Sequence, residues 1–144
     1  NDLQGIHYPL NNLFKTITDS VNNFAISLKL PKQKIDNIWI NVNGYRDYNQ
    51  EHLHPNSHLS GVYYIQTHKD CGDIEFGNPY KDMIESYWWP HIEDNNDPRV
   101  VLKWCMPAET GKLYVFPSWL SHRVLPNLDK DKKRISISWN TNEV

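Results

Sequence analysis

The spacing of apolar positions changes once along this chain. From Leu10 to about Leu28 they recur at Leu10, Leu13, Phe14, Ile17, Val21, Phe24, Ala25 and Leu28. Steps of three and four place them on one stripe of a helix. Asn11 or Asn12 can cap its start, and Pro31 lies just past its end. Such a helix is expected on the outside of a sheet. Beyond it, short runs rich in β-branched and aromatic residues predict strands at Ile38–Val42, Leu59–Gln66, Asp73–Phe76, Val100–Met106, Lys112–Phe116, His122–Leu125 and Ile135–Trp139. The turn signals H-P-N-S, F-G-N-P, P-A-E-T-G-K and P-N-L-D-K-D separate them. Many short strands behind one helix predict a mainly β fold, a sandwich or jelly roll. Asn78 to Arg99 reads as a long polar loop with Trp88 and Trp89, of a length that usually serves as a lid or binding loop.

The last strand has two unlike faces. Arg134, Ser136, Ser138 and Asn140 share one, while Ile135, Ile137 and Trp139 share the other. A polar face with a guanidinium and two hydroxyls fits a pocket wall. A guanidinium holds a carboxylate through two parallel hydrogen bonds, and Ser136 can add another. Three histidines supply a second kind of chemistry. His52 and His54 stand two apart in E-H-L-H-P, so on a strand they project together and Leu53 turns away. Pro55 would end that strand at a barrel mouth. His122 follows F-P-S-W-L-S at the start of a later strand. Three ligands on one side leave coordination positions open for small molecules. Imidazole suits zinc, copper, nickel and iron alike, so ligand type does not name the ion. His58 and His68 lie close enough in sequence to compete as ligands. Lys130, Lys132 and Lys133 read as a solvated loop.

Composition narrows the partners. The 144 residues suffice for a single domain, 1–144. With a net charge of -2, there is neither a basic stripe for nucleic acid nor an acidic tail. No apolar run approaches the roughly 20 residues that span a membrane, and no signal-peptide pattern opens the chain. Cys71 and Cys105 are too few for a disulfide scaffold and read as reduced, partly buried thiols of a cytosolic protein. The sequence opens on Asn rather than Met, so further residues are expected upstream.

Four blocks together carry a resemblance: W-I-N-V-N-G-Y, H-L-H-P-N-S-H-L-S-G-V-Y-Y-I, G-K-L-Y-V-F-P-S-W-L-S-H-R-V-L-P-N and R-I-S-I-S-W-N. In order and spacing they resemble the 2-oxoglutarate and Fe(II)-dependent oxygenases. More narrowly, they resemble the prolyl-hydroxylase-related branch of bacteria and phages. The resemblance implies a double-stranded β-helix (jelly roll) over about residues 37–141, with the N-terminal helix packed on it. It implies Fe(II) at the open end, 2-oxoglutarate as co-substrate, O2, and hydroxylation of an unidentified substrate with release of succinate and CO2. The setting implied is the cytoplasm of a bacterium or of a phage-infected host cell.

By the same resemblance His52 is the first metal ligand and His122 the distal one. His54 stands where the superfamily has a carboxylate, which makes the set three neutral imidazoles. Glu51, Asp47 or Asp73 stays open as a carboxylate donor, and His58 as a fallback. Arg134 would pair with the far carboxylate of 2-oxoglutarate, with Ser136 beside it. The phenol of Tyr64 would touch the co-substrate while Tyr63 faces away. Asn41 and Asn43 would reach the same pocket, and the Trp88–Trp89 loop would border its outer part. Two other readings stand beside this one. One is a cupin-like three-histidine metalloenzyme that does not use 2-oxoglutarate; the other is a non-catalytic jelly-roll binding module.

Overall fold

The computed structural model describes residues 4–144, with side chains from residue 10 onward. A helix, α1 (Gln4–Ser27), precedes eight strands: β1 (Gln33–Asn43), β2 (Asn49–His52), β3 (Leu59–Gln66), β4 (Ile74–Gly77), β5 (Lys103–Met106), β6 (Leu113–Pro117), β7 (His122–Val124) and β8 (Arg134–Glu143). They form two four-stranded sheets, ordered β1-β8-β3-β6 and β2-β7-β4-β5, with every pairing antiparallel. This is the expected jelly roll.

Alternation along β3 and β8 decides what each face buries. Outward, Leu59, Ile137 and Trp139 meet Ile17, Val21 and Ala25 of α1 in one apolar core. Inward, Val62 and Tyr64 meet Ile74, Phe76 and Phe116 of the facing strands. Gly61 makes the outer core possible. A Cβ there would sit 2.3 Å from the Trp139 indole and 2.8 Å from the Tyr114 carbonyl. Register then lays out the cleft wall: Trp39 pairs with Ser138, Asn41 with Ser136 and Asn43 with Arg134, while Tyr64 stands opposite Ser136.

Several boundaries differ from the pattern-based expectation. α1 begins at Gln4 rather than Leu10, so Asn11 and Asn12 lie inside it and cap nothing. The Asn12 carbonyl instead accepts the Thr16 hydroxyl at 2.9 Å. The helix stops at Ser27 because Lys29 turns left-handed (φ 56). The Leu30 N–H then bonds Ala25 O at 2.9 Å, and the Lys29 N–H bonds Ile26 O at 3.0 Å, which closes the last turn. β1 and β8 run longer than expected because their long mutual pairing extends past the apolar runs. The segment after β4 is not plain loop. It winds through short helical turns at Lys81–Met83, Ile84–Trp88 and Trp89–His91.

Candidate metal centre and the cleft below it

His52 is the last residue of β2 and pairs across from His122, the first of β7, so their ring centroids come to 4.3 Å. His54 reaches them by a different route from the one its spacing suggests. β2 ends at His52, and His54 lies beyond the strand with its N–H on Ser118 O at 2.9 Å. Its ring still stands 5.0 Å from His52 and 5.1 Å from His122. One nitrogen from each ring lies within 4.8 Å of the others.

Local carbonyls orient two of the rings. His52 Nδ1 sits 2.6 Å from Gln50 O, and His122 Nδ1 sits 2.9 Å from Leu120 O. A carbonyl only accepts, so each Nδ1 carries the hydrogen and each Nε2 keeps its lone pair free. Donation of the second ring nitrogen to the backbone is how metal-binding histidines are commonly held. Two of the rings, His122 and His54, are also held neutral. Burial lowers the His122 pKa to about 4, opposed by the Leu120 bond and reinforced by the neighbouring His52 and His54 rings. Burial, then His52, lowers that of His54.

The carboxylates left open by the sequence are engaged elsewhere. Glu51 Oε1 accepts from the Ser121 hydroxyl at 2.8 Å and from Lys81 Nζ at 3.0 Å. Asp47 Oδ2 takes the Gly44 N–H at 2.7 Å, and Asp73 Oδ1 the Ala108 N–H at 2.8 Å. His58 is exposed at the surface. Among the described residues, the one cluster of potential ligands is His52, His54 and His122.

The same cleft runs down to Arg134, past Asn41, Asn43, Tyr64 and Ser136. Arg134 is 1% exposed. Its Nη1 donates to Cys71 O at 2.5 Å, Gly72 O at 2.8 Å and Leu125 O at 3.1 Å. Its Nη2 is buried with no partner. Among the described residues Arg134 forms no ion pair. A guanidinium stays protonated in proteins, and a buried charge without a counterion is costly. The free Nη2 therefore fits an anionic ligand in the cleft. Asn41 Nδ2 lies 2.9 Å from Ser138 Oγ and 3.5 Å from Ser136 Oγ, so these side chains form a linked polar wall. Tyr64 is buried, which raises its phenol pKa and keeps it a neutral hydroxyl.

Gly72 is a site residue that sequence reading missed. Its φ is +85, and a Cβ there would sit 2.1 Å from Leu125 O and 2.7 Å from Arg134 Nη1. The only signal in the sequence was a glycine in a short polar turn. The tryptophan-rich segment behaves otherwise than expected. No residue from Asn78 to Arg99 lines the histidine cleft. Tyr80, Met83, Ile84, Tyr87, Trp88 and Arg99 line a separate shallow cleft instead. Of the two thiols, Cys71 is buried and Cys105 exposed, and both are free. Among the described residues, no helix is long and apolar enough to cross a membrane.

The family described as "Putative 2OG-Fe(II) oxygenase" matches residues 37–140, from β1 to the middle of β8. The chain belongs to this family. No curated protein matches it. Solved structures share the oxygenase fold at low identity. A 2OG-Fe(II) oxygenase-family oxidoreductase from Burkholderia pseudomallei is 15% identical, with TM-score 0.56, over 78% of this chain and 46% of that one. A prolyl-4-hydroxylase from Pseudomonas putida is 17% identical, with TM-score 0.51, over 85% and 59%. A non-heme alpha-ketoglutarate-dependent epimerase from nogalamycin biosynthesis is 10% identical, with TM-score 0.55, over 77% and 47%. This oxygenase-family chain thus spans about half the length of the structures it resembles.

Proposed function

We propose that this chain is an Fe(II)- and 2-oxoglutarate-dependent dioxygenase domain that hydroxylates an unidentified substrate and releases succinate and CO2. One observation carries the reading: a single cleft holds three clustered imidazoles at one end and the free Nη2 of buried Arg134 at the other. His52, His54 and His122 would hold the iron, the first and last through Nε2. Bound there, the metal would supply oxygen activation coupled to oxidative decarboxylation of the 2-oxo acid.

The side chains do the placing. Arg134 offers Nη2 to the far carboxylate of 2-oxoglutarate, with Nη1 anchored on its three carbonyls. Ser136 and Tyr64 offer hydroxyls to the same carboxylate, and Asn41 fixes Ser136 and Ser138 from the β1 side. Phe116 and Val62 line the inner wall and keep water from the reacting end. An all-imidazole set carries no negative charge, so it is expected to hold Fe(II) less tightly than a set containing a carboxylate. The free thiols of Cys71 and Cys105 support a reducing, cytoplasmic setting in a bacterium or infected host cell.

The test is succinate formation from 2-oxoglutarate with Fe(II) and O2, in the parent and in Arg134→Ala. The variant is expected to lose 2-oxoglutarate binding while it still takes metal. Equal 2-oxoglutarate affinity in the two proteins would defeat the co-substrate assignment. Metal-dependent activity indifferent to Arg134 would place the protein with cupin-like metalloenzymes, and no metal binding at all would make it a binding module.

A further inference from the structure

Two loops supply the carbonyls that hold Arg134 Nη1. One, between β3 and β4, gives Cys71 O and Gly72 O; the other, between β7 and β8, gives Leu125 O. Gly72 shows how closely they approach, since not even a methyl group fits between them. Backbone bonds tie their margins, Leu125 N–H to Asp73 O and Leu128 N–H to Asp70 O, both at 2.9 Å. A third tie is made by side chains, and it reaches further.

Asn127 is fully buried. Its Nδ2 donates to Lys132 O at 2.8 Å and to Asn43 O at 3.1 Å. Asn43 is the register partner of Arg134 on β1, and Lys132 lies two residues before Arg134. With both amide hydrogens on carbonyls, Oδ1 is left as the acceptor. It takes the Asp129 N–H at 3.0 Å and lies 3.0 Å from His68 Nε2. The His68 ring must therefore carry its hydrogen on Nε2, which assigns the tautomer. The His68 side chain is 7% exposed, and its Nδ1 is buried without a partner. The ring, kept at that cost outside the metal cluster, has its one hydrogen bond on Asn127, with Asp129 Oδ2 3.9 Å from the same Nε2.

Resting on the 2-oxoglutarate reading above, we propose that His68 and Asn127 are positioning residues for Arg134. His68 stands at the head of the loop that carries Cys71 and Gly72. Asn127 joins that loop to the Leu125 loop, to the end of β1 and to the approach into β8. Together they fix both the carbonyl seat of Nη1 and the strand that delivers the guanidinium, so Nη2 meets the far carboxylate squarely. They touch neither the metal ligands nor the co-substrate. Their loss should weaken 2-oxoglutarate selectively and spare metal.

The test is titration calorimetry of Mn(II) alone, and then of 2-oxoglutarate into the Mn(II)-loaded protein. The proteins compared are the parent, His68→Leu, His68→Gln, His68→Asn and Arg134→Ala. His68→Leu is expected to bind 2-oxoglutarate about tenfold more weakly with Mn(II) affinity unchanged. His68→Gln places an amide N–H near the Nε2 position and should restore binding to near parent. His68→Asn keeps a polar amide but falls one methylene short, so it should bind as weakly as His68→Leu. That comparison decides the matter even if the leucine variant does not fold. A parent that binds 2-oxoglutarate, with His68→Leu or His68→Asn binding it equally well, overturns the positioning role alone. Equal loss of Mn(II) and 2-oxoglutarate affinity also overturns it, because that pattern marks a general structural defect. A parent that takes no 2-oxoglutarate, like Arg134→Ala, overturns the role together with the co-substrate reading.

Discussion

The two ends of the cleft are oriented by contacts of very different range. At the histidine end, His52 and His122 each lock their rings on a carbonyl two residues earlier, Gln50 and Leu120. At the other end, Arg134 is held by carbonyls 63, 62 and 9 residues away in sequence. The imidazole tautomers are therefore set by local turns, and only the meeting of β2 with β7 is left to the fold. The guanidinium depends wholly on two loops packing together. The metal end should thus tolerate small shifts between loops, while the arginine end should be the first to lose its geometry.

Substitutions can separate the two ends. The largest effect on metal is expected for His122→Ala, which removes the most buried of the three rings. Its affinity for Mn(II) or Fe(II) should fall by more than the ~10–100-fold typical of losing an outer-shell partner, as read by metal titration. Gly72→Ala should do the reverse. A Cβ against Leu125 O forces the two loops apart, and the left-handed backbone adds strain. We expect 2-oxoglutarate binding to be lost and the melting temperature to fall, with metal still bound. Loss of metal in that variant would show that the two ends are not independent. Ser136→Ala should be milder, weakening 2-oxoglutarate by about fivefold through one hydroxyl, as read in its KM. Lys81→Ala should do least. It breaks the exposed Lys81–Glu51 pair, and such pairs contribute little. A change in melting temperature of about 3 °C or less is expected, with metal affinity unchanged.

The same contrast of range explains what could be read from the sequence. β3 ends where its β-branched and aromatic run ends, at Leu59 and Gln66. The polar and apolar faces of β8 follow directly from alternation, because one faces the cleft and the other faces α1. Arg134, Ser136, Tyr64, His52 and His122 come together as their strand positions imply. Where a residue's place is set by distant backbone, the pattern is silent. Nothing in H-x-H reveals that β2 ends at His52 and that Ser118 O holds His54 in place. Gly72 looks like an ordinary turn glycine until Leu125 and Arg134 are seen against it. Asn127 looks like a loop polar residue, although it is buried and bonded on all sides. The helical turns after β4 were hidden by a polar, proline-containing sequence with no apolar period.

The most direct test of the central claim is an anaerobic titration of the parent chain with Fe(II) and then 2-oxoglutarate, followed in the visible spectrum. The account predicts a saturable charge-transfer band that needs both components, is absent in His122→Ala and is not reached in Arg134→Ala at concentrations that saturate the parent. A folded, iron-loaded parent that develops no band on adding 2-oxoglutarate would contradict it.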